Sequence, residues 1–122
     1  MAEQAPGVFN WVIRAGDGES RSFSFYEPDN DDGSQGAEIV ITGRTYRAEF
    51  RTTRGETGTA AATATCTITA TNTVKVSLTS VQTRALADAG RRYFWDLEET
   101  VPGNDPVTII EGTARTRQDT TR

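Results

Sequence analysis

Between Val74 and Glu99 the chain passes from an alternating strand (VKVSL) through a capped helical segment (TSVQTRALADAG) into a second alternating strand (RRYFWDLEE), with no spare loop between them. Thr79 and Gln82 have the spacing of a capping box, in which the Thr hydroxyl and the Gln amide satisfy reciprocal backbone N–H groups at a helix start. Gly90 is the residue type that ends a helix in the left-handed conformation. The spacing therefore predicts one short helix near residues 80–89, held between two strands whose alternate side chains share a core.

Elsewhere the period is two almost throughout, which is the pattern of half-buried strands. From Val8 to Arg14, Phe9, Trp11 and Ile13 fall on one face and Val8, Asn10 and Val12 on the other. A turn is expected at Gly16-Asp17-Gly18, then Phe23 and Phe25 face inward from Ser22 and Ser24. PDNDDGSQG, from Pro28 to Gly36, is a loop by composition. Ile39 to Ile41 is a short apolar run. Tyr46, Ala48 and Phe50 alternate with Arg47, Glu49 and Arg51, a half-buried antiparallel strand with a charged outer face. After a turn at Gly55 to Gly58, five threonines from Thr63 to Thr71 alternate with Ala64, Cys66, Ile68 and Ala70. Asn72 serves as a hairpin turn. Tyr93, Trp95 and Leu97 resume an inward face, PGNDP turns, and Val107 to Arg117 closes, with Gly112 a candidate bulge. Seven or eight strands at this spacing predict an all-β fold, an antiparallel β-sandwich with one short helix. Residues 8–117 form the single domain, flanked by a polar arm (1–7) and a polar tail (118–122).

The side-chain inventory removes most chemistry. There is no His, one Cys (Cys66) and one Lys (Lys75) among 122 residues. A Ser-His-Asp or Cys-His centre lacks its base, a Cys/His zinc site lacks ligands, and a lone Cys builds no disulfide framework. The expectation is a protein that is not an enzyme and carries no cofactor or metal. A net charge of −4 speaks against nucleic acid as partner. No apolar run nears the ~20 residues that span a bilayer, and the N-terminus lacks a signal-peptide pattern, so no membrane is expected either.

Five local signatures, in order, resemble the N-terminal module of phage upper-baseplate and minor tail proteins. These are the Gly16-Asp17 turn after a first strand; Ile41-Thr42-Gly43 leading into a strand that ends at Arg51; the strand-helix-strand unit around Leu78-Thr79 and Gly90; Tyr93-Phe94-Trp95-Asp96-Leu97-Glu98; and Thr108-Ile109-Ile110-Glu111-Gly112-Thr113-Ala114-Arg115. The resemblance implies a small β-sandwich that fastens a larger receptor-binding region onto the tail. Because the chain stops soon after the closing strand, the expectation is a standalone adaptor or ring component of the virion, assembled in the host cytoplasm. Its partners would be other virion structural proteins and copies of itself. A head decoration or neck protein, and a carbohydrate-binding β-sandwich module for a host-surface glycan, are the alternatives. The resemblance carries over no catalytic residue.

Interface residues follow from the outward faces. Phe94 and Tyr26 break outward beside inward aromatics, as interface anchors do. Arg47 and Arg51, with Arg44, Arg54, Arg91 and Arg92, suit an acidic partner or else an ordinary charged face interspersed with Glu49 and Glu56. Thr65, Thr67 and Thr69 form an uncharged ladder that suits either water or a neighbouring strand. Trp11, Tyr93 and Trp95 would make a sugar-stacking platform if exposed, but the alternation puts them in the core. Asp29-Asn30-Asp31-Asp32-Gly33 suggests calcium, yet the EF-hand frame fails, with Ser34 where Gly is needed and Val40 where Glu is needed.

Overall fold

The computed structural model describes residues 7–53, 60–89 and 92–117. The turn expected at 55–58, the helix-ending Gly90, Arg54, Arg91, and nearly all of both polar ends lie outside them. Among the described residues, eight strands and one helix follow in the order β1 (Gly7–Val8), β2 (Trp11–Arg14), β3 (Glu19–Ser24), β4 (Thr45–Arg51), β5 (Ala62–Ala70), β6 (Thr73–Leu78), α1 (Ser80–Asp88), β7 (Tyr93–Thr100) and β8 (Val107–Arg117).

Alternation is kept where it was clearest. Buried and part-exposed residues alternate along β6 and through Glu98 of β7, and Trp11 and Ile13 of β2 are buried between exposed Val12 and Arg14. The inward set meets in one core built around Trp11, Phe50, Tyr93 and Trp95, with Phe9 and Phe23 packed against it. Trp11 and Trp95 cross edge to face at 5.5 Å, and Phe50 stacks on Trp95 at 5.9 Å. Each such aromatic removes a large apolar area from water.

The all-β expectation with one short helix is met. The pairing, however, runs as one mixed sheet in the order β1-β8-β7-β4-β5-β6-β3, curled into a half-barrel, where two stacked antiparallel sheets were expected. Two features produce the curl. β5 changes partners part-way, pairing with β4 from Ala62 to Ala64 and with β6 from Thr65 to Ala70, so it turns a corner. And the N-terminal segment joins β8 in parallel, Gly7 opposite Ile110 and Trp11 opposite Ala114.

That parallel strand is broken at Phe9-Asn10, and Gly112 explains the break. A Cβ on Gly112 would stand 2.1 Å from the Phe9 carbonyl oxygen. With no side chain there, the Phe9 carbonyl turns inward and accepts a hydrogen bond from the Trp95 indole N–H at 2.7 Å. The Asn10 side chain accepts from the Thr113 backbone N–H at 3.1 Å, standing in for a ladder bond. Gly112 is thus not the bulge. It pairs in register with Trp95, and the register of β7 and β8 shifts instead between Leu97 and Glu98, which leaves Ile109 as the extra residue.

Helix α1 closes one end of the half-barrel. The capping box forms as expected: the Gln82 backbone N–H donates to the Thr79 hydroxyl and the Thr79 N–H donates to the Gln82 side chain. The Gln82 amide also donates to the Thr63 carbonyl, tying the cap to β5. One turn on, fully buried Thr83 accepts from Gly16 N–H at 3.0 Å, with its own hydroxyl 2.9 Å from the Asp17 carbonyl. The helix is thereby pinned to the turn between β2 and β3. Tyr93 donates its hydroxyl to the Leu86 carbonyl and secures the other side. At the opposite end, buried Ile41 donates its N–H to the Thr71 carbonyl, and Phe25 stacks on Tyr46.

Candidate docking face

Side chains of β4 and β7 that point away from the core meet on the outer face of the sheet. The register sets Arg51 opposite Phe94, Glu49 opposite Asp96 and Arg47 opposite Glu98. On the other side of β4, Glu49 is opposite Thr63 of β5. Three of the sequence candidates, Arg47, Arg51 and Phe94, are therefore brought together, and Thr65 is the next outward residue of β5 beyond Thr63.

Glu49 organises this face. Although outward, it is only 8% exposed, because arginines two residues before and two residues after fold over it. Arg47 donates from Nε at 3.0 Å and from Nη2 at 2.6 Å to one carboxylate oxygen, and Arg51 Nη2 donates to the other. Charge-assisted forks of this kind are strong and directional. They also fix the arginines differently. The Arg51 side chain is 12% exposed, whereas that of Arg47 is 65% exposed. Arg47, Glu49, Arg51, Glu98 and Pro106 line a shallow depression of about 440 Å³.

The other basic residue resolved on β4's approach is also paired. Arg44 lies 3.3 Å from Glu99, whose same oxygen accepts the Tyr46 hydroxyl at 2.6 Å. Burial, and after it the hydrogen bond to Glu99, push the Tyr46 phenol above its ordinary value. Arg47 and Arg51 thus share one carboxylate, a trio that keeps a net positive charge on the outer face, while Arg44 is paired apart from them, beside Tyr46.

The remaining candidates fall elsewhere. Tyr26 is 38% exposed at an isolated bridge with Glu38. Thr65, Thr67 and Thr69 are exposed, but β5 lies inside the sheet order between β4 and β6. Its ladder to β4 ends at Ala64, and the Ile41–Thr71 hydrogen bond holds the same side at the far end. Between those points burial raises the Cys66 thiol above its ordinary value.

Trp11, Tyr93 and Trp95 are 1%, 1% and 2% exposed, so the aromatic platform that sugar stacking requires is core. In the acidic loop, Asp32 accepts from the Ser34 hydroxyl at 2.6 Å and from its backbone N–H at 2.9 Å, contacts that hold its carboxyl below the usual value. No cluster of His, Cys, Asp or Glu suited to a metal occurs among the described residues. Sequence reasoning singled out Arg47 and Arg51 but treated Glu49 as mere interspersion. The signal was present in Arg-x-Glu-x-Arg, whose period of two stacks all three on one strand face. No model of a known protein family matches the chain, and no curated protein matches it.

Proposed function

We propose that this chain is a structural docking module of a tailed-phage virion, at the tail tip or baseplate, and that it engages its neighbours through the outer face of β4 and β7. Its partners are other virion proteins and further copies of itself, and it turns over no substrate. The observation that carries the reading is Arg47, whose guanidinium is well exposed and yet held by two hydrogen bonds to a buried carboxylate.

An arginine loses roughly 2 kcal/mol of rotamer freedom when it is ordered. Here Glu49 has already ordered it, so a partner carboxylate would meet a guanidinium whose position is set, the preorganisation that favours affinity. Phe94 beside Arg51 adds an aromatic on the same face, and Arg with aromatic side chains is the usual composition of interface anchors. The order of elements supports the tail location through its resemblance to the baseplate module, in which the strand-helix-strand unit is the most distinctive part.

Antibody labelling of intact particles of the source phage tests the reading, together with light scattering of the purified chain. Label confined to the tail end supports it, and label on the head or neck moves the module while keeping its docking role. Unlabelled particles with a monomer in solution would overturn it. Arg47→Glu, which sets two carboxylates against each other, is expected to abolish incorporation into particles while the chain stays folded.

A further inference from the structure

We propose that the seam between β2 and β3 is the line along which the half-barrel opens, and that Glu19 and Arg21 are its latch; this inference is independent of the virion reading. β2 and β3 follow one another in the chain, joined by the short turn Ala15–Gly18, and would make a hairpin in most β proteins. Here β2 pairs with β8 and β3 with β6, and among the described residues no ladder joins the two. They are the two ends of the sheet, brought face to face by its curl.

Side chains do the closing. Arg21 lies over the Trp11 ring at 5.3 Å and pairs with Glu19 at 3.3 Å. The Trp11 indole N–H reaches Glu19 at 3.5 Å, a long bond. Below them Phe9 meets Phe23 edge on at 5.5 Å. This cover leaves Trp11 1% exposed, although its strand has an open edge. Parting the seam breaks no backbone ladder, whereas parting any other neighbours in the sheet does. Opposite the seam, the β4–β5 ladder is three residue pairs, the shortest link on the path between the two halves apart from terminal β1. The turn end is held by Thr83, so opening begins at the far end, where Phe9 faces Phe23. Local openings of this kind draw on the parts of a fold with fewest structural bonds.

Fluorine NMR of the full chain labelled with 5-fluorotryptophan tests this, since only Trp11 and Trp95 report and Trp11→Phe assigns them. Relaxation by a soluble nitroxide reads the exposure of each ring. In Arg21→Ala the effect on Trp11 is expected to rise about two- to fivefold, as loss of a partly exposed cation–π contact predicts, and that on Trp95 to rise less, since Trp95 loses only the part of its cover that Phe9 and Phe23 supply. Arg21→Lys, which keeps the cation, should recover part of the protection, and Val81→Ala on the exposed side of the helix should change neither ring. In the unsubstituted chain, urea below the unfolding transition should raise the exposure of Trp11, and to a smaller degree that of Trp95 where Phe9 and Phe23 cover it, which keeps the test valid if Arg21→Ala does not fold. Equal protection of Trp11 with and without Arg21, or exposure of both rings together only at global unfolding, would overturn the proposal.

Discussion

Replacing Gly112 with alanine should be among the most damaging single-methyl additions to this chain. The new Cβ would lie 2.1 Å from the Phe9 carbonyl oxygen and 2.8 Å from its carbon, where ordinary contact begins at 3.4 Å. Neither atom is the end of a flexible side chain, so the N-terminal strand must retreat by about 1 Å, and overpacking of this kind costs ~1–3 kcal/mol. Retreat also pulls the Phe9 carbonyl from the Trp95 indole and leaves a buried donor unsatisfied, about 1–3 kcal/mol more. Against this stands a gain of ~0.5–1 kcal/mol from replacing glycine in a strand. The net loss is about 3 kcal/mol, from a total of roughly 6–18 kcal/mol for a chain of this length. Urea unfolding followed by tryptophan fluorescence measures it, and a fall in Tm of roughly 10–15 °C should accompany it. A loss below ~1 kcal/mol would refute the account of why the strand breaks at Phe9-Asn10. Asn10→Ala, which removes the substitute ladder bond from the Thr113 N–H and the exposed bond from its hydroxyl to the same oxygen, should cost about 1 kcal/mol.

Thr83→Val keeps the shape but strands the Gly16 N–H and the Asp17 carbonyl, and chemical denaturation should show a loss of about 2–3 kcal/mol. Glu49→Gln removes the carboxylate between two arginines; since Arg47 is largely solvated, the loss should be nearer ~2 kcal/mol than the full cost of breaking a buried pair. Tyr46 has a raised phenol, so its folded form favours the protonated state: its contribution to stability is complete below the unfolded value near pH ~10 and is lost as pH rises above it. Tyr46→Phe should therefore flatten the alkaline side of the stability profile, measured as urea midpoint against pH; an unchanged alkaline fall would refute the assignment.

Much of the secondary structure was legible because alternation is a local property. Trp11 and Ile13, or Tyr93, Trp95 and Leu97, declare one face without reference to any partner, and Thr79 with Gln82 declares a helix start. Partnership is not local. Nothing in VFNWVIR distinguishes a strand that pairs in parallel with residues 107–117 from one that forms a hairpin with Glu19–Ser24, and the curl of the sheet hangs on that choice. Gly112 was noticed for the wrong reason: a glycine within a strand signals either a bulge or a close approach, and only the position of Phe9 separates the two. The bulge fell at Ile109, whose composition gives no warning. On the docking face the arginines were visible and their partner Glu49 was underweighted, because burial of an outward carboxylate depends on how the flanking side chains fold over it.

The parallel pairing of β1 and β2 with β8 also sets a timetable. Phe9, Trp11 and Ile13 are among the first core residues to leave the ribosome, and their strand partner, including Ala114 and Thr116, is among the last. At about 5–20 residues per second the wait is on the order of 5–20 s. Throughout it the nascent chain carries two large aromatics with no strand to join, a hazard for self-association. Closing a loop of that length is also slow compared with forming the β5–β6 hairpin or α1. Within this domain, the strand made first is thus the one that waits longest for its ladder.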